Sequence, residues 1–390
     1  MMLKILHLIT SLDIGGANMM LYKLLVGADR DQFEPAVIVI MDKGKLGAPI
    51  EALGIPVYPI GMPRGRAGLR AVLEINKLID HIQPDLIQAW TYHSNIAASI
   101  ARYFSTKVPV IWNIRHTPYD LREHKRLTAL LIRYGSWFSK QPACIIYNSH
   151  VSLNRHRELG YLPTRERVIP NGFDIDKFKP SPQSRIYLRQ LLGLPKHTLL
   201  IGMIARYHPM KDQANFIHAA SKLHQYHPDV HFVLVGRGVS DDNTELTDLI
   251  SRLDLTHQIH LIGERSDIAE ITPGLDIGTL SSAWGDAFPN VIGEAMACEV
   301  PFVATDIGDS QRIIQDTGIV VHPEDPEALS YAWNELIGMG TQGRQSLGKK
   351  ARQRVKSQFL LSTVVDQYES LYIEEIAKHT DYHKGLSRIR

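Results

Sequence analysis

Arg206 and Lys211 stand five residues apart in Arg206-Tyr207-His208-Pro209-Met210-Lys211, and Asp286 and Glu294 stand eight apart in Asp286-Ala287-Phe288-Pro289-Asn290-Val291-Ile292-Gly293-Glu294. Two cations on either side of a turn can clamp a diphosphate from two directions, the guanidinium as a planar fork and the ammonium as a point charge. A carboxylate one helical turn into a segment can accept hydrogen bonds from ribose hydroxyls. Between the acids, Pro289 reads as a first helical residue, because its missing N–H would be unpaired there anyway. The amides of Asn290 and Val291 are then left to attract an anion. Taken one at a time these residues have ordinary readings as solvated loop charges, a turn acid and a solvated helix glutamate.

Positioning them requires a strand, a loop and a helix in each case. The run ending at Leu280 reads as a buried strand and Asn290 to Ala297 as a helix. Across the second half, apolar runs at 199–204, 231–235, 259–262, 275–280 and 301–305 alternate with helical patterns. The first half alternates likewise, with strands expected at 4–9, 36–41, 57–60, 86–89, 110–114 and 144–147. Both halves therefore predict a doubly wound parallel sheet whose ligands bind beyond the C-terminal strand ends. At those ends lie Gly15-Gly16-Ala17, His116, Gly236 in Val235-Gly236-Arg237-Gly238, and Arg265 in Gly263-Glu264-Arg265. The glycine pair lets a ligand approach the backbone at a helix start, though by itself it is a tight-turn signal. His116 is one of 18 histidines, and its place at a strand end sets it apart.

Asp286, x7, Glu294 followed by Ala-Met-Ala resembles the E-x7-E signature of retaining glycosyltransferases of family 4, with Asp in place of the first Glu. Asp is one methylene shorter, so a hydroxyl held there must sit closer or be bridged by water. Arg206 and Lys211 resemble the family's R-x4-K pair, Val168-Ile169-Pro170-Asn171-Gly172-Phe173-Asp174 its I-P-N-G-x-D segment, and Gly15-Gly16-Ala17 its glycine loop. The resemblance implies the GT-B fold, two Rossmann-like domains facing across a cleft. The N-terminal acceptor domain is expected over 1–175, completed by a C-terminal helix at about 364–390, and the donor domain over 185–363 after a polar linker, Pro180 to Ser184. It further implies that His116 lies beside the transferred sugar and that Gly15, Gly16, Gly236, Arg265 and Phe288 to Val291 contact a nucleotide-diphosphate sugar. Arg206, Lys211, Asp286 and Glu294 would serve binding and chemistry together. No metal or other cofactor is implied.

Composition agrees with a globular enzyme: 390 residues, 44% hydrophobic, is enough for two cores. Cys144 and Cys298 match no metal or redox spacing, the N-terminal run is too short for a signal peptide and no apolar run approaches a membrane span, so a cytoplasmic location is expected. The absence of G-x-G-x-x-G after strand one, with its distant acidic partner, counts against a nicotinamide dehydrogenase, the other rival with paired Rossmann-like domains.

Residues 1–180 hold 23 Lys/Arg against 15 Asp/Glu. Much of that excess is Arg64, Arg66 and Arg70, then Arg115, Arg122, Lys125, Arg126, Arg133 and Lys140 interleaved with leucines, Trp137 and Phe138. The second group reads either as a segment on an anionic bilayer or as a core helix; no nucleic-acid motif accompanies it. The expected activity is transfer of a sugar, from a UDP-sugar by preference, to a hydroxyl of a glycan or lipid-linked acceptor in surface polysaccharide synthesis. The rival is a catalytically inert sugar-nucleotide binding protein of the same fold.

Overall fold

A computed structural model describes residues 2–63, 69–105, 108–119, 121 and 126–387. The expectations for Arg64, Arg66, Arg122 and Lys125 fall outside them. The chain forms two compact units, residues 1–172 with 361–390 and residues 173–360.

The first unit runs β1 (Leu3–Ile9), α1 (Gly16–Gly27), β2 (Phe33–Val39), α2 (Gly47–Glu51), β3 (Val57–Pro59), α3 (Leu69–Ile82) and β4 (Leu86–Trp90). It continues through α4 (Thr91–Ser105), β5 (Val110–Ile114), α5 (Arg126–Phe138), β6 (Cys144–Tyr147), α6 (His150–Glu158) and β7 (Glu166–Val168). All seven strands are parallel, in the order β3-β2-β1-β4-β5-β6-β7. Strands such as β4 and β5 are buried along their whole length, which is why they read as nearly continuous apolar runs, each interrupted by one buried amide, Gln88 and Asn113. One core packs on each sheet face, around Leu21, Leu24 and Tyr368 on one side and Ile75, Ala98 and Tyr161 on the other.

The second unit runs α7 (Pro182–Leu191), β8 (Leu200–Ile204), α8 (Gln213–His224), β9 (His231–Val235), α9 (Thr244–Arg252), β10 (Ile259–Leu261), α10 (Ile268–Ile271) and β11 (Ile277–Leu280). It ends with α11 (Asn290–Ala297), β12 (Phe302–Thr305), α12 (Ser310–Ile314), β13 (Ile319–Val321), α13 (Pro326–Gly338) and α14 (Gly340–Gln358). Its six parallel strands are ordered β10-β9-β8-β11-β12-β13. The last helix, α15 (Leu361–Ser387), belongs to the first unit. There the Tyr368 hydroxyl accepts from Asn113 (3.1 Å) and Arg115 (3.0 Å), and Glu369 caps the amide of Asp29 at 2.8 Å.

The stretch expected to be a linker is partly helical: Ser181 caps the Ser184 amide at 3.1 Å and Pro182 opens α7. Serine before proline is a helix start as readily as a polar linker.

Candidate active site

In the second unit β8 and β11 are neighbours, and from them the chain winds outward in opposite directions, to β9 and β10 on one side and β12 and β13 on the other. Loops leaving the C-terminal ends of two such strands diverge and open a crevice. The β8 loop carries Arg206 and Lys211; the β11 loop carries Asp286 and leads to α11 with Glu294.

The β8 loop is held by its own chemistry. After a single 3-10 turn, Pro209–Lys211, the chain enters the left-handed region at Asp212 (φ 48), a conformation Asp tolerates, and the Asp212 carboxylate caps α8 through the Asn215 amide at 3.0 Å. Gln213 donates to the Arg206 carbonyl at 2.9 Å. Ser281, the first residue after β11, directs its hydroxyl at the carbonyls of Lys211 (3.0 Å) and Asp212 (2.9 Å).

Lys211 and Asp286 meet. The Lys211 ammonium donates to both oxygens of Asp286, at 2.8 Å to Oδ1 and 2.6 Å to Oδ2, with the two side chains 14% and 15% exposed. The Ser282 hydroxyl donates to the same carboxylate at 2.7 Å. Asp286 therefore orients the lysine, a contact between residues far apart in sequence. Arg206 is exposed and joins none of the ion pairs among the described residues. Burial pushes the His208 imidazole below its ordinary range, and the nearby cations Arg206 and Lys211 push it further, so the loop carries a positive field suited to an anion.

The start of α11 departs from the expectation in one detail. Pro289 is the cap residue, extended at φ −72 and ψ 110, and Asn290 is the first helical residue. Proline's fixed φ suits both positions, and ψ decides between them. Having no polar side chain, Pro289 makes no cap hydrogen bond. Phe288 is buried, stacked on Phe173 at 6.2 Å and edge-on to Phe359 at 5.7 Å, so it anchors the loop. Gly308, at φ 62 after β12, lies where a Cβ would fall 2.3 Å from the Asp286 carbonyl, and the Asp309 amide donates to the Ala287 carbonyl at 3.0 Å. The sequence reading missed Gly308 and Ser282; a glycine and an aspartate directly beyond a strand end were the available signal for the first.

Gly236, at φ 152, packs on the β8 loop so closely that a Cβ would lie 2.1 Å from the Ala205 carbonyl oxygen. Arg265 is tied back: its guanidinium makes paired bonds to Asp267 at 2.9 and 2.7 Å and one to the Tyr187 hydroxyl at 3.0 Å. Asp267 is correspondingly held at about 2, chiefly by the Arg265 hydrogen bond. The side chain braces the loop after β10.

In the first unit, Gly15 caps α1 in an extended conformation with nothing within 4 Å of where a Cβ would stand. The fold does not require glycine there; its small size leaves the backbone open to a ligand. Gly16 is the first residue of that helix. A cavity of about 380 Å³ is lined by Ala17, Thr91, His93, Arg115, His116 and Thr128, among others. His116 lies at its edge beyond β5, and its carbonyl accepts from the Ser152 hydroxyl at 2.8 Å. Thr91 is at φ 71, an unfavourable conformation for a β-branched residue, at the end of β4 where the strand order reverses. Burial lowers the pKa of His93, which the sequence reading passed over, so it stands neutral in the cavity wall. Arg115 is half-buried, bonded to Tyr368 and Asn171 and lying 5.7 Å from the Trp90 ring centre. Both cysteines are buried and free, and burial raises the Cys144 thiol to about 12.

Residues 14–177 match the profile described as Glycosyltransferase Family 4, and residues 198–338 that described as Glycosyl transferases group 1. The UDP-Gal:alpha-D-GlcNAc-diphosphoundecaprenol alpha-1,3-galactosyltransferase of Escherichia coli is 26% identical over 315 residues, covering 79% of this chain and 80% of that protein. Anabaena Alr3699/HepE in complex with UDP superposes with a TM-score of 0.84 at 25% identity, covering 95% of this chain and 100% of that one. Sucrose-phosphate synthase from Thermosynechococcus elongatus shares the fold, with a TM-score of 0.81 at 17% identity over 96% of this chain and 100% of that one. With a matching profile on each of two parallel-sheet units and the GT-B architecture throughout, the chain belongs to glycosyltransferase family 4 and is a glycosyltransferase that uses a nucleotide sugar.

Proposed function

We propose that this enzyme is a retaining glycosyltransferase that moves a sugar from a UDP-sugar to a hydroxyl of a glycan or lipid-linked acceptor, in the synthesis of a surface polysaccharide on the cytoplasmic side of a membrane. The observation that carries the donor assignment is the meeting of the β8 and β11 loops, which brings Lys211, held by Asp286, to the strand ends where Arg206 also lies. Support for the uridine comes from the UDP-Gal named for the E. coli relative and the UDP bound to the Anabaena protein, and support for a lipid-linked acceptor from the former.

As the bond from the anomeric carbon to the diphosphate breaks, its electron pair passes to the phosphate oxygen. Negative charge grows there, and Arg206, Lys211 and the first amides of α11 answer it. Preorganised donors of this kind each contribute roughly 3 kcal/mol to the transition state. The acceptor oxygen bonds the same face of the anomeric carbon, and its proton goes to the departing phosphate. His116 serves the transferred sugar in this reading, and its unit binds the acceptor. No metal is assigned a part.

The test is UDP release from UDP-sugars in the presence of acceptor, with and without a chelator. Release that depends on acceptor and ignores chelator, with the anomeric configuration kept in the product, is expected. UDP binding with no turnover on any donor would leave an inert binding protein. Glu294→Gln is expected to raise the donor KM about tenfold with kcat within about threefold, since a ribose contact acts equally in ground and transition states and a charged hydrogen bond is worth about 1.5–3 kcal/mol. Steady-state kinetics with UDP-sugar varied checks it, and a pure kcat effect would remove Glu294 from the ribose.

A further inference from the structure

Helix α5 presents two apolar faces. Ile132 and Gly135 are buried, while Leu127, Leu130, Tyr134 and Trp137 are 46%, 48%, 45% and 77% exposed. At about 100° per residue these four fall in a single arc of roughly 80°, and Arg126 and Arg133, both exposed, run along one edge of it. Tyr134 and Trp137 pack edge to face at 5.2 Å, so the aromatic end is an ordered surface. Leu162, 61% exposed, adjoins the end of the helix through its amide bond to the Ser139 hydroxyl at 2.9 Å. Arg126 to Lys140 contains no acidic residue, and residues 120–140 hold five Lys/Arg against two Asp/Glu.

We propose that this face of α5 docks on the surface of an anionic phospholipid bilayer. Its composition is that of an interfacial helix: leucines and an amphipathic aromatic pair to enter the headgroup boundary, and cations alongside to meet lipid phosphates. A protein partner or a second copy would more often be met by an apolar patch with mixed charge at its rim; on α5 itself the charged residues beside this face, Arg126 and Arg133, are both cations, complementary to lipid phosphates. Among the described residues no helix is long and apolar enough to cross a membrane, so the contact is peripheral. The same helix lends Thr128, on its opposite face, to the cavity that holds His93 and His116, so docking sets that cavity about one helix diameter, roughly 10 Å, from the headgroups. The purpose of the contact rests on the reading of the acceptor as lipid-linked; the contact itself is measured without it.

The test is co-sedimentation of the intact protein with vesicles of phosphatidylcholine alone and with about a third phosphatidylglycerol, at low and high salt. Binding is expected only to the anionic vesicles, falling with salt, with Trp137 emission shifting to the blue and the shift absent in Trp137→Phe. Leu130→Asp/Trp137→Asp, and separately Arg126→Glu/Arg133→Glu, should each cut binding at least tenfold, because one cation near such a surface is worth roughly fivefold. Turnover with a soluble acceptor should be unchanged in both. Wild-type protein that ignores anionic vesicles, or variants that bind as wild type does, would overturn the proposal, as would a dimer in sedimentation velocity that these substitutions dissolve. Loss of turnover on every donor with vesicle binding intact would instead strike the proposed reaction and leave the surface standing.

Discussion

Lys211→Ala is expected to lower kcat by about a hundredfold or more, and by more than Arg206→Ala does. In the proposed reaction, both substitutions remove a cation from the position where charge develops on the leaving diphosphate. Only the first also takes the cation from a carboxylate: Asp286, 15% exposed and bonded by Lys211 through both oxygens, would keep its bond from Ser282 but face the phosphates with its charge uncompensated by the lysine. A carboxylate without its cation repels the negative charge that develops on the leaving phosphate in the proposed reaction. Lys211→Ala/Asp286→Asn should therefore recover part of the lost turnover, although two substitutions in one site would ordinarily add. Single-turnover rates for the two single variants and the double close the cycle. If Lys211→Ala turns over within about threefold of wild type, the diphosphate is not held here.

That pairing also marks the limit of what the sequence made legible. Arg206, Lys211, Asp286 and Glu294 were recognisable by type and spacing, but the partner of Lys211 lies 75 residues away and is brought to it only by the β8–β11 neighbourhood. Asp286 looked like a ligand for a sugar hydroxyl; it is first of all the group that aims a lysine. Strands such as β5 and β6 were read with their observed bounds, because a parallel strand buried on both faces is a nearly continuous apolar run, broken in β5 only by Asn113. The expectation missed β7 and β13, each an edge strand of three residues. Glu166-Arg167-Val168 carries two charges, and only its hydrogen bonding to β6 makes it a strand.

Helix α5 shows a different limit. The bilayer and core readings of its apolar residues were both open; Ile132 turns inward and Trp137 outward on the same helix, so one face is core and the other is exposed. Apolar residues on two faces blur the period from which a single buried stripe would be recognised.

Gly236→Ala is expected to cost about 2–3 kcal/mol of stability and to lower kcat/KM for the donor by at least about tenfold. The residue has φ 152, and an added methyl would lie 2.1 Å from the Ala205 carbonyl oxygen and 2.5 Å from its carbon, both backbone atoms that no rotamer change can move aside. Relief has to come from separating the two loops. They are joined on either side of Arg206, where the Ala205 amide donates to the Val235 carbonyl and the Tyr207 amide to the Arg237 carbonyl, each at 2.8 Å. Any separation therefore moves Arg206, and the loss of donor activity should exceed what destabilisation alone produces. Gly263→Ala is the control. Gly263 has φ 69 but nothing within 4 Å of its missing Cβ, so alanine there should cost only the backbone strain, about 1 kcal/mol. Thermal unfolding and donor kinetics of the two variants, side by side, decide the matter. Equal and mild effects would mean that the β8 loop is free to shift, and that Arg206 is not held in place by Gly236.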